Sequence, residues 1–80
     1  MDDLEVVRRI NELADEEHQL ERAHAGTPLG DDDLQRLREV EVALDQCWDL
    51  LRQRRARRGA GADPDDASAR PAETVEGYQQ

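Results

Sequence analysis

The sequence predicts an all-α fold, an antiparallel two-helix hairpin followed by a flexible C-terminal tail, on three observations. Two stretches carry apolar residues at alternating three- and four-residue steps, the spacing of one helical face. A short break, Gly26-Thr27-Pro28-Leu29-Gly30, separates them, and short connections between helices favour antiparallel neighbours. After residue 58 the periodicity stops and the chain turns to Gly, Pro, Asp, Ala and Ser. Residues 1–58 are therefore assigned to the hairpin and 59–80 to the tail.

The first helix is expected over residues 3–25. Val6, Ile10, Leu13, Glu17, Leu20 and His24 fall on one face, and Val7 and Ala14 widen it. Asp2 followed by Glu5 matches a capping box with Asp in place of Ser or Thr. Glu5 and Arg9 stand four apart in the favourable order. Gly26 suits a left-handed C-cap, and Pro28 cannot continue the helix.

The second helix is expected over residues 31–58. With Gly30 as N-cap, Leu29 and Leu34 take the two positions of a hydrophobic staple. Asp31, Asp32 and Asp33 then lie in the first turn, where carboxylates complement the macrodipole. Leu37, Val40, Leu44, Cys47 and Leu51 make an unbroken heptad seam, flanked by Leu34 and Trp48. Arg52, Arg54, Arg55, Arg57 and Arg58 crowd the last turns, again the sign the dipole prefers, and Gly59 and Gly61 end the helix. In the tail, Val75 and Tyr78 are the residues with the bulk to dock on a core, and the composition predicts disorder in isolation.

Each apolar arc is wider than a two-helix seam needs, about 140° against the roughly 100° of an ordinary amphipathic face. A homodimer forming a four-helix bundle is the first expectation, and a helix from another protein the second. Val42 and Leu50 lie off the main stripe and mark a further possible contact. The formal charge of −9 disfavours nucleic acid and anionic membranes as partners for the whole surface. No apolar run approaches the roughly 20 residues that span a bilayer. The start Met1-Asp2-Asp3-Leu4-Glu5 is acidic, which argues against a secretory signal. One cysteine, Cys47, permits no internal disulfide, so the expected location is the cytoplasm. Every basic side chain is Arg, which reads as a mark of a GC-rich genome.

Several constellations hold chemistry in principle. Glu17 interrupts the apolar stripe and falls roughly opposite Glu41, and Glu21 with His24 matches the Glu-x-x-His spacing of carboxylate metal sites in bundles. A metal-binding bundle using Glu17, Glu21, His24 and Glu41 is thus one alternative. The plainer reading leaves Glu17 and Glu41 at the seam edge, in water or paired with Arg22 or Arg38. The Arg52–Arg58 cluster, or the acidic tip at Asp31–Asp33, supports a second alternative: a regulator associated with nucleic acid or RNA polymerase. No aromatic is interleaved with those arginines, and helix dipole compensation accounts for both charge runs. Asp45 and Asp49 beside Cys47 argue against a reactive thiol. With no Gly-rich phosphate loop and no nucleophile–base motif, no enzyme, cofactor or small-molecule substrate is expected.

The run Leu44-Asp45-Gln46-Cys47-Trp48-Asp49-Leu50-Leu51-Arg52-Gln53-Arg54-Arg55-Ala56 is distinctive. With Asn11-Glu12-Leu13, Glu16-Glu17-His18, Asp63-Pro64-Asp65 and Val75-Glu76-Gly77-Tyr78, it resembles a family of short actinobacterial proteins known as a domain of unknown function. The resemblance spans nearly the whole chain. It implies an all-helical fold with a C-terminal extension, and it carries no assigned activity or site residues.

If the seam holds the hairpin together, Leu44→Asp abolishes both helicity and association. Circular dichroism and sedimentation check this, and a variant that keeps both contradicts the assigned seam.

Overall fold

In a computed structural model, which describes residues 2–23 and 26–77, the chain forms three α-helices and one 3-10 turn. They are α1 (Asp3–Ala23), α2 (Asp31–Gly59), the turn at Pro64–Asp66, and α3 (Ala72–Gly77). No strand occurs among the described residues. None of the described helices is long and apolar enough to cross a membrane.

Local chemistry accounts for the helix ends. The Asp2 carboxylate accepts the Glu5 backbone N–H at 2.8 Å, which satisfies one of the orphan donors of α1. Gly26 takes φ +79° beyond α1, a conformation that suits glycine. Gly30 is the N-cap of α2 and offers its carbonyl to Leu34 at 2.9 Å. At the far end, Ala62 N–H bonds to Arg57 O at 2.7 Å and Gly61 N–H to Arg58 O at 3.1 Å. With Gly61 at φ +76° this is a Schellman motif, which stops α2 one residue beyond the expected position.

The two long helices run antiparallel. Asp3 at the start of α1 meets Arg54 and Arg58 near the end of α2, and Glu16 in α1 pairs with Arg36 near its start. Val6, Ile10 and Leu51 form the centre of the core, with Val7, Leu44, Cys47 and Leu50 packed around them. Leu13 and Val40 are buried towards the turn.

Residues 60–77 carry more structure than their composition predicts. The 3-10 turn is capped by the Asp63 carboxylate, which accepts from Asp65 N–H at 2.9 Å, and Pro64 opens it. Arg70 bonds to the Asp49 carboxylate at 3.0 Å, and Asp49 is only 2% exposed. Gln53 donates to Asp49 at 2.9 Å and to Ser68 O at 3.0 Å, and Gln46 donates to Arg70 O at 3.3 Å. Val75 is 3% exposed, and among the described residues α3 packs on α2 and on no other helix. Composition misses this placement because polar side chains of α2, rather than a broad apolar face of the tail, hold it. Tyr78, the other expected anchor, lies outside the described residues.

Arg54 ties the base together. It is 4% exposed. Its Nε donates to Asp3 at 2.6 Å, and one terminal nitrogen donates to Pro64 O at 3.2 Å and to Asp65 at 3.0 Å. Arg58 reaches the other Asp3 oxygen at 2.7 Å. The hydrogen bonds from Arg58 and Arg54 hold the Asp3 carboxyl well below the usual carboxylate range.

Arg54→Ala leaves one Asp3 oxygen and the Pro64 carbonyl without the donor Arg54 supplies, whereas Arg55→Ala removes an exposed side chain. The expected thermal midpoint of Arg54→Ala lies at least about 5 °C below that of Arg55→Ala, measured by circular dichroism melts. Arg54→Lys does not restore it, since an ammonium cannot fork to three acceptors in one plane. Equal midpoints for the two alanine variants contradict this role.

Candidate functional site

The apolar residues singled out by spacing divide by depth. Val6, Ile10, Leu13, Val40 and Leu51 are buried, while Leu20, Leu34, Leu37, Leu44 and Cys47 are half-buried. Trp48 departs from the expected seam and is 45% exposed. The helix α1 packs on the row of Leu44, Cys47 and Leu51. One residue further on, Trp48 is turned by about 100° around α2, which carries it out of the contact.

The indole shares a shallow groove with Glu17, Glu41, Leu44 and Asp45. The expected approach of Glu17 to Glu41 therefore forms, and Asp45 joins it. Partial burial pushes the Glu17 carboxyl up, Glu21, Glu41 and Asp45 push it further, and His18 opposes them. Glu21 is exposed one turn along α1. His24, the expected imidazole of a metal set, lies outside the described residues. Among the described residues no group of three His, Cys, Asp or Glu side chains is arranged to hold a metal ion. Neither Glu17 nor Glu41 forms an ion pair with Arg22 or Arg38 among the described residues. The cross-hairpin pair is Arg36 with Glu16, a two-pronged contact whose second bond is 2.7 Å.

The five arginines at the end of α2 do not form one patch. Arg54 and Arg58 turn onto Asp3 at the base of the hairpin. Arg57 is half-buried. Arg52 and Arg55 are exposed on a different flank and have no ion-pair partner among the described residues. Cys47 is half-buried, and burial pushes its thiol up against the opposing influence of Arg9. A protonated thiol is a poor nucleophile.

Spacing alone passed over Asp3, Asp49 and Arg70, which anchor the tail and the hairpin base. Arg70 is the sole basic residue after Arg58, but Asp63, Asp65, Asp66, Glu73 and Glu76 in the same segment offer it nearer partners, so nothing in the sequence points to Asp49.

A carboxyl whose folded pKa is raised costs stability above that pKa, and the cost fades as the pH falls through it. Removing one like charge at helical spacing is worth about 0.2–0.5 kcal/mol. Glu17→Gln is thus expected to raise the thermal midpoint by roughly 1–4 °C at pH 7 and to leave it unchanged near about pH 4. Scanning calorimetry at both pH values tests this. A gain that persists undiminished at the lower pH rules out carboxylate crowding as its cause.

Comparison with known proteins adds a family without a chemistry. An uncharacterized protein of Mycobacterium bovis and two of Mycobacterium tuberculosis are each 49% identical to this chain over 78 residues, which cover 95% of the chain and 88% of the relative. No solved structure matches. A family model described as "Protein of unknown function (DUF2630)" matches residues 2–80. The resemblance seen in the Leu44–Ala56 run and its companions is thereby explained: the chain belongs to the DUF2630 family of proteins of unknown function.

Proposed function

We propose that this chain is a non-enzymatic interaction module that works by packing helices against a second copy of itself. The observation that carries the reading is the exposed Trp48 beside half-buried Leu44, on the flank of α2 between the rows that meet α1 and the tail. Tryptophan is enriched at the centres of protein interfaces, where its large amphipathic ring supplies much of the binding energy.

The shape of the fold supports the same reading. Its principal extents are 49 × 25 × 16 Å. Both α1 and the tail pack on α2, on rows roughly opposite one another around it, and among the described residues α1 does not pack on α3, so the three lie in essentially one layer. Stable domains bury their apolar faces between two or more layers. Buried apolar side chains among the described residues amount to Val6, Ile10, Leu13, Val40, Leu51 and Val75, a small core for a chain of this size. A second copy supplies the missing layer and brings four long helices together.

Sedimentation across about 1–200 µM, the range in which weak dimers form, tests the proposal. The expected species is twice the 9.1 kDa chain mass, with a melting midpoint that rises with concentration. A 9.1 kDa species with a concentration-independent, cooperative melt overturns it.

A further inference from the structure

Along α2, Glu41, Asp45, Trp48, Arg52 and Arg55 follow at steps of four, three, four and three residues. That spacing keeps them on one face. The face lies between the two neighbours of α2, with Glu17 of α1 along the edge of its acidic half and Arg70 of the tail beside Arg52. The Leu44, Cys47 and Leu51 row meets α1, and the Gln46, Asp49 and Gln53 row meets the tail. Asp45 is half-buried and the other four residues are exposed. None of the four charged members forms an ion pair among the described residues.

Charge changes sign across the indole: acid, acid, Trp, Arg, Arg. Glu41 and Arg55 are each seven residues from Trp48, and Asp45 and Arg52 are three and four residues from it. The arrangement is therefore nearly symmetric in position and opposite in sign. We infer that this stripe is a self-complementary interface through which two copies pair antiparallel, with the two Trp48 rings at the two-fold axis. The inference rests on the homodimer reading above and specifies its surface and polarity.

An isologous contact places the same patch on both partners. Turned end for end about Trp48, the second copy sets its Arg55 at the level of Glu41 and its Arg52 at the level of Asp45. The paired stretch is about 21 Å long at ~1.5 Å per residue. A parallel pairing would set Glu41 on Glu41 and Arg55 on Arg55, and like charges across an interface reject that register. Glu17 of α1 lines the same groove as Glu41 and Asp45, so it reinforces the acidic half. An extended nucleic acid does not suit the stripe, because half of the stripe repels phosphate.

The test uses the full chain in three forms: wild type, an all-acidic stripe (Arg52→Glu with Arg55→Glu) and an all-basic stripe (Glu41→Arg with Asp45→Arg). All four substitutions lie at solvent-accessible positions, and circular dichroism verifies that each variant keeps its helicity. Each variant alone is expected to dissociate with a dimer Kd raised about tenfold or more. Their equimolar mixture is expected to form a heterodimer at least as tight as the wild type, seen by sedimentation with one partner labelled. Combining all four substitutions in one chain restores the homodimer. A wild-type dimer whose Kd is unmoved in both variants overturns the antiparallel stripe and leaves the assembly reading standing. A mixture that stays monomeric while the wild type dimerises overturns the stripe as well. A wild type that is monomeric throughout the concentration range overturns both.

Discussion

The fork that Arg54 makes at the base of the hairpin is the contact on which the rest of the structure depends. One buried guanidinium joins the first turn of α1 through Asp3, its own helix α2, and the turn at Pro64–Asp66. Burying a charge is tolerable only when its donors are satisfied, and planar guanidinium geometry suits several acceptors at once. Arg58 takes the second Asp3 oxygen, so the carboxylate is held from both sides. Register between α1 and α2 and the return of the chain towards α2 are set at the same place.

From that clamp the architecture follows as a single layer with α2 in the middle. Apolar packing holds α1 to one flank, centred on Val6, Ile10 and Leu51. Polar bonds hold the tail to another, through Asp49, Gln53 and Gln46. Buried side-chain nitrogen and oxygen atoms among the described residues all have partners, as native cores require. What the layer leaves open along α2 is the flank with Trp48 and, on the other side, a shallow groove lined by Leu13, Ala43, Cys47 and Leu50. A small core and an outward tryptophan have the same cause: α1 and the tail together cover only part of the surface of α2.

Features that invite a chemical reading resolve into structural ones or into surface charge. Carboxylates gather around Trp48, yet no set of three ligating side chains among the described residues is arranged for a metal. The arginine run divides between the Asp3 clamp and an exposed flank. Cys47 is screened by packing and held in its protonated form.

The linear sequence by itself determined the helical class, the antiparallel hairpin and most of its punctuation. Asp2, Gly26, Gly30 and Gly61 act within a few residues of themselves, and Val6, Ile10, Leu13, Val40 and Leu51 repeat at the helical period, so local rules reach them. Tertiary structure alone decided the outward turn of Trp48, the parting of Arg54 and Arg58 from Arg52 and Arg55, and the seat of the tail on Asp49. Periodicity names the apolar side of a helix to within an arc wider than one neighbour can cover. Which part of that arc is buried depends on where α1 and the tail come to lie, and that is settled by ion pairs between residues as far apart as Asp3 and Arg58, for which the chain carries no local sign.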